Sequence, residues 1–140
     1  MSAKTIYTAS VHTVGGREGA AKSSDGQLDI KLSTPGTSKP GTNPEQLFAA
    51  GWSACFEGAL GHVARASGIQ LPADTAIDAE VDLHLGEEEG FFLTAQLNVS
   101  IPGLPDDIAQ SLIEKAHETC PYSKMARGGI DASVRLVVPA

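Results

Sequence analysis

Two cysteines carry the redox chemistry available to this sequence. Cys55 falls in "GWSACFEGAL" and Cys120 in "ETCPYS". A thiolate attacks a peroxide, and the sulfenic acid it becomes condenses with a second thiol to a disulfide. The same residues could also be buried small hydrophobes, a structural staple or two members of a metal site. For Cys55 alone the plainest reading is a packed thiol, because free cysteine is among the most buried residue types. Pairing requires the two Cα atoms to come within about 7 Å, which spacing in the sequence does not decide.

Metal ligation has little support. Neither cysteine belongs to a C-x-x-C pair, and no H-x-x-x-H occurs. His117 precedes Cys120 by three positions, but His62 lies seven beyond Cys55, so the spacing is poor for zinc. His12 and His84 fall on expected strand faces, where an exposed polar role suffices. His117 reads as a satisfied helix histidine. No metal and no bound cofactor are expected.

Two charged residues stand out. Arg17 follows "VGG" and precedes Glu18-Gly19, so it rides a glycine-rich loop. Glu45 opens the helix that carries Cys55. As a first-turn carboxylate it would meet the helix dipole favourably, by about 0.3–1 kcal/mol. It could instead orient Arg17 as a bidentate partner. A guanidinium held that way could favour a thiolate and receive an oxyanion.

The elements that must position these residues follow from periodicity and breakers. Residues 4–14 read as a first strand. "QLDIKLS" alternates Leu28, Ile30 and Leu32 against Asp29 and Lys31, a strand with one wet face. "TPGTSKPGTNP" is a loop whose end starts a helix: Asn43 can cap it, Pro44 suits its first position, and Gln46 sits three after the cap. That helix should run from Pro44 to about Ser67. Leu47, Phe48, Gly51, Trp52, Cys55, Ala59 and Val63 form its apolar stripe, while Ala49, Ala50, Ser53, Ala54, Gly58 and Gly61 keep the other faces small. A helix apolar all round is buried all round, which here suggests cover from a second subunit as well as from its own sheet.

"AIDAEVDLHL" and "FFLTAQLNVSI" alternate around the charged turn "GEEEG", an antiparallel hairpin. Residues 106–119 make an amphipathic helix with Ile108, Leu112, Ile113 and Ala116 inward. It must stop at Cys120, because Pro121 disfavours helical geometry in the residue before it. "IDASVRLVV" reads as a closing strand. The sum is α+β, antiparallel strands with two main helices on one face.

At 140 residues the chain fits one domain, residues 1–140, long enough to bury a core. An apolar share of 41% against 19% charged reads as globular rather than disordered. A net charge of −7 argues against a nucleic-acid binder or adsorption to anionic membrane. The N-terminus has no apolar signal-peptide run. The weakly charged stretch from Leu47 to Leu60 is shorter than the roughly 20 residues a bilayer span needs. A cytoplasmic protein is expected, and in a reducing cytosol a permanent disulfide is disfavoured.

"NPEQLFAAGWSACF" together with "AHETCPYSKMARGGIDASVRL" resembles the organic hydroperoxide resistance branch of the Ohr/OsmC superfamily, and "GGREGAAKSSDGQLDIKLSTP" resembles its opening hairpin. The resemblance covers nearly the whole chain, and the two cysteine motifs together are highly specific. Trp52 stands where the family more often has Tyr, and "RGGID" where Asn commonly follows the Gly. Neither departure falls on a position matched to catalysis.

The resemblance implies an intertwined homodimer with a thiol peroxidase site at the subunit interface. It implies Cys55 as the peroxidatic thiol, Cys120 as the resolving thiol, and Arg17 with Glu45 as the activating pair. It further implies alkyl or fatty-acid hydroperoxides as substrates and an external dithiol reductant, dihydrolipoyl groups on lipoylated proteins. Leu47, Phe48, Trp52, Phe56 and Met125 lie near the motif residues and could offer an apolar wall to the alkyl tail, although most of them could equally be core. An OsmC-type stress peroxidase with another substrate preference and a non-catalytic ligand-binding dimer are the competing readings. On an unbroken helix, Glu45 and Cys55 would stand about 15 Å apart along the axis and about 80° apart around it. The site would then be assembled from two chains.

Overall fold

The computed structural model describes residues 3–137. The chain forms two compact units, Met1–Phe48 and Ala49–Ala140.

The first unit is a small antiparallel sheet. Strands β1 (Val11–Val14), β2 (Ala20–Ser23) and β3 (Asp29–Lys31) pair in the order β1-β2-β3. Val14 faces Ala20, and Ala21 faces Ile30. A 3-10 turn, Gly16–Glu18, joins the first two strands and carries Arg17. Gly15 and Gly16 have φ of 81° and 57°, a region that side chains other than glycine's enter at a cost. Beyond β3, Leu32 is buried and bridges to Thr42 across the loop.

Helix α1, Pro44–Ala66, begins in this unit and runs without a break into the second. Its start follows the expected pattern. The Gln46 backbone N–H donates to Asn43 Oδ1 at 2.8 Å, which makes Asn43 the cap. The Gln46 side chain accepts from the Thr42 hydroxyl at 2.7 Å.

The second unit packs α1 against a long hairpin and a second helix. Strands β4 (Ala76–Gly86) and β5 (Gly90–Ser100) pair antiparallel, with Ile77 opposite Val99 and Leu83 opposite Leu93. Helix α2 spans Asp106–Thr119 and a short helix α3 spans Pro121–Ala126. The core gathers Phe56, Ala59, Leu60, Val63 and Ala64 from α1 with Ile101, Leu112, Ala116 and Cys120. Burying a side chain such as Leu60 or Leu112 contributes about 1.5–3 kcal/mol.

The structure departs from the sequence expectations at both terminal strands and in α2. The first strand is Val11–Val14 only, and residues 3–10 are exposed without strand pairing. The closing strand does not form over Ile130–Val137, and Val138 lies outside the described residues. Both segments have strand composition, but a strand exists only where a neighbour completes its ladder. Within the single chain, helix α1 leaves Ala50, Ala54, Glu57 and Gly58 exposed along one face. In α2, Ala109 rather than Ile108 turns inward. The hairpin's inner face is covered only as far as Val81, and Leu83, Leu85, Phe91 and Leu93 protrude toward its tip. Among the described residues, no helix is long and apolar enough to cross a membrane.

Candidate active site

The two cysteines meet. Cys55 sits in the middle of α1, half-buried on the face turned to the core. Cys120 is the junction between α2 and α3 and is fully buried. Its backbone is extended, φ −64° and ψ 124°, as a residue before proline prefers. Pro121 ends one helix and, at the first position of the next, starts another. The corner presents the Cys120 thiol to α1: Sγ to Sγ is 3.4 Å, with both cysteines free. A disulfide bond is about 2.05 Å long, so a two-electron oxidation with loss of both thiol hydrogens would need only a small approach of the two sulfurs to join them.

Burial raises the Cys55 pKa above its ordinary value. The Tyr122 backbone N–H opposes that by bonding the sulfur, and the neighbouring Cys120 thiol adds to the rise. A reactive thiolate at this position therefore calls for a cation to favour it.

The first unit holds an arginine in a fixed geometry. Arg17 Nη1 donates to Glu45 Oε1 at 2.9 Å and Nη2 donates to Oε2 at 2.7 Å. This is the fork-to-fork pairing that aims a guanidinium plane. The Arg17 hydrogen bonds pull the Glu45 carboxyl below its usual range and push the Arg17 pKa up. A depressed carboxyl pKa means that the pair's contribution is complete above the usual glutamate range. It is lost as pH falls through the depressed value. A carbon-13 titration of the Glu45 carboxyl should therefore show a midpoint below the usual glutamate value. Arg17→Gln should move that midpoint back up. An unchanged midpoint in the variant would mean that the pair does not persist in solution.

The rest of the cysteine neighbourhood comes from α3, which sequence reasoning missed. Ser123 is fully buried, and its Oγ accepts a hydrogen bond from Trp52 Nε1 at 3.1 Å. The Tyr122 ring lies against Gly51, where a Cβ would stand 3.0 Å from the phenolic oxygen. A usable signal was present: Trp52 precedes Cys55 by three positions, and Ser123 follows Cys120 by three. Trp52 and Phe56 also line a cavity of about 340 Å³ with Ala95, Leu97, Val99 and Ile113. Gln110, Glu114 and His117 complete its lining. Met125 is half-buried on α3, and Leu47 and Phe48 belong to the first unit.

An α+β chain with two free thiols in contact between packed helices defines a paired-cysteine protein. The chain belongs to the OsmC-like protein family, whose family model matches residues 18–135. It is 46% identical over 138 residues to the organic hydroperoxide resistance protein of Xanthomonas axonopodis pv. citri (strain 306), covering 95% of this chain and 96% of that one. It is 44% identical over 135 residues to the organic hydroperoxide resistance protein OhrB of Bacillus subtilis (strain 168), covering 94% and 98%. The OhrB crystal structure aligns with a TM-score of 0.83 over 91% of this chain and 96% of that one. A Legionella pneumophila crystal structure, also described as an organic hydroperoxide resistance protein, aligns with a TM-score of 0.83 at 44% identity, covering 91% and 95%.

Proposed function

We propose that this chain is a thiol-dependent peroxidase that reduces organic hydroperoxides to alcohols, acting as a homodimer in the cytoplasm. The observation that carries the reading is the contact between the Cys55 and Cys120 thiols, in a chain whose relatives are named for organic hydroperoxide resistance. The Cys55 thiolate attacks the outer peroxide oxygen. The O–O bond breaks, and the alkoxide leaves as the alcohol after taking a proton. Cys55 is left as a sulfenic acid. The Cys120 thiol then attacks the Cys55 sulfur, the S–O bond breaks, and the oxygen departs as water. An external dithiol, a dihydrolipoyl group on a carrier protein, reduces the disulfide to two thiols and leaves as its own disulfide. Arg17, aimed by Glu45, supplies the cation that favours the thiolate and receives charge on the departing oxygen.

Substrate choice follows from the apolar surroundings of α1. Trp52 and Phe56 flank Cys55 in the sequence and line the 340 Å³ cavity, which favours an alkyl or aryl tail. Each buried CH₂ is worth up to ~0.8 kcal/mol, so three carbons' worth of burial corresponds to roughly 50-fold in kcat/KM. Hydrogen peroxide has no tail to bury. Purified protein with a dithiol should therefore show a kcat/KM for cumene hydroperoxide exceeding that for hydrogen peroxide by about that factor or more. Equal values would remove the organic preference, and no consumption of either would remove the peroxidase reading.

A further inference from the structure

We propose that Trp52 and Ser123 are positioning residues for disulfide closure, a latch that holds the Cys120 thiol against Cys55. The proposal rests on the peroxidase reading for its chemistry and on a separate piece of geometry for its substance. Helix α1 and the α2–α3 corner run past each other with mirrored spacing. Moving three residues along α1 from Trp52 reaches Cys55, and moving three residues back from Ser123 reaches Cys120. The two contacts, Trp52 Nε1 to Ser123 Oγ at 3.1 Å and Cys120 Sγ to Cys55 Sγ at 3.4 Å, are thus adjacent rungs. Along α1 the rungs are separated by about 4.5 Å, close to one helical turn.

The upper rung is built to be rigid. Ser123 has no solvent exposure, so its hydroxyl has no water to turn to if the indole is lost. The Tyr122 ring beside it rests on the helix backbone at Gly51 with no room for a side chain between. The lower rung is the one that must change. Cys120 begins as a thiol near van der Waals distance and ends bonded, while the oxygen of the Cys55 sulfenic acid leaves as water. Such a step is fast only while the attacking sulfur is held in line, and a displacement of about 1 Å can cost as much as 100-fold. Ser123 lies outside the cavity assigned to the hydroperoxide tail, so its loss should slow the second step and spare the first.

The test separates these steps. Reduced wild-type protein, Ser123→Ala, Trp52→Phe and the double variant are each mixed with one equivalent of tert-butyl hydroperoxide. Dimedone quenches the reaction at set times, and intact mass follows the products. In Ser123→Ala, loss of the reduced form should stay within about twofold of wild type, whereas in every variant disulfide closure should slow about 10- to 100-fold and the dimedone adduct at Cys55 should accumulate. The double variant should close no more slowly than either single one, because both remove the same bond. Closure at the wild-type rate in both single variants would overturn the latch, as would equal slowing of both steps in Ser123→Ala. Diamide, which joins two thiols without any peroxide, gives a second readout. If the wild type ignores hydroperoxide but closes quickly with diamide and the variants close slowly, the peroxidase reading falls and the latch stands. If diamide closes all four proteins equally fast, the latch falls.

Discussion

Replacing Cys55 with serine should abolish hydroperoxide turnover, while replacing Cys120 with serine should leave a single round of oxidation intact. The two substitutions are similar in size and differ in what they remove. A serine hydroxyl stays protonated at any pH the fold tolerates and forms no stable oxidised state, so Cys55→Ser has no nucleophile and no oxygen acceptor. Cys120→Ser keeps the Cys55 thiol and loses only its partner at 3.4 Å. It should consume about one hydroperoxide per chain and then stall with a sulfenic acid on Cys55. Intact mass distinguishes the outcomes: one added oxygen for Cys120→Ser, a loss of two hydrogens for the wild type, no change for Cys55→Ser. Full turnover by Cys120→Ser with a dithiol reductant would show that an external thiol resolves Cys55 and that Cys120 is only packed against it.

Activity should also be recoverable by mixing two inactive variants, Glu45→Ala and Cys55→Ser, under conditions that allow subunits to exchange. The expectation comes from α1, which is continuous from Pro44 to Ala66. Ten residues of helix advance about 15 Å and turn the side chain about 80° away, more than one arginine bridges from its own Glu45 to its own Cys55. Two copies of α1 crossing antiparallel along the Ala50, Ala54 and Gly58 face would bring Glu45 of one chain toward Cys55 of the other. Small residues there permit the close approach. A heterodimer of the two variants then has one site with both residues present and one with neither. Random exchange of equal amounts should return roughly a quarter of wild-type activity. A mixture as inactive as its components would sink the shared site.

How much of this could be read in advance depended on whether the determinant was local. Pro121 acts on its own neighbour, so the end of α2 at Thr119 and the extended backbone at Cys120 were legible from one residue. Asn43, Pro44 and Gln46 similarly marked the start of α1, and the alternation around "GEEEG" marked the hairpin. The Arg17–Glu45 pair was legible in kind, since a carboxylate at a helix start could orient an arginine on a glycine loop, although the helix dipole gave Glu45 a simpler role. Residues 4–10 and 130–137 were misread for a reason that is not local. Alternation reports that a segment suits a sheet, but the ladder partner is another segment, and no property of the strand itself says whether it is present. Helix α3 escaped notice because six residues hold too little periodicity to register. Ile108 was expected inward because it is large and apolar, yet Ala109 takes that side; the helix phase is set by the contacts of Leu112 and Ala116.

The bidentate pairing of Arg17 with Glu45 has a consequence for selectivity. Guanidinium and carboxylate together carry no net charge, and two of the five guanidinium N–H donors are spent on the carboxylate. What the pair offers outward is an oriented dipole edged with hydrogen-bond donors. The field of a dipole weakens with distance more steeply than that of a single ion. A bare arginine would act on thiols and anions over a Debye length of about 8–10 Å. The paired one speaks only to a group that touches it. In the proposed peroxidase cycle, the same carboxylate that aims the guanidinium would thereby narrow its influence to one sulfur and one departing oxygen.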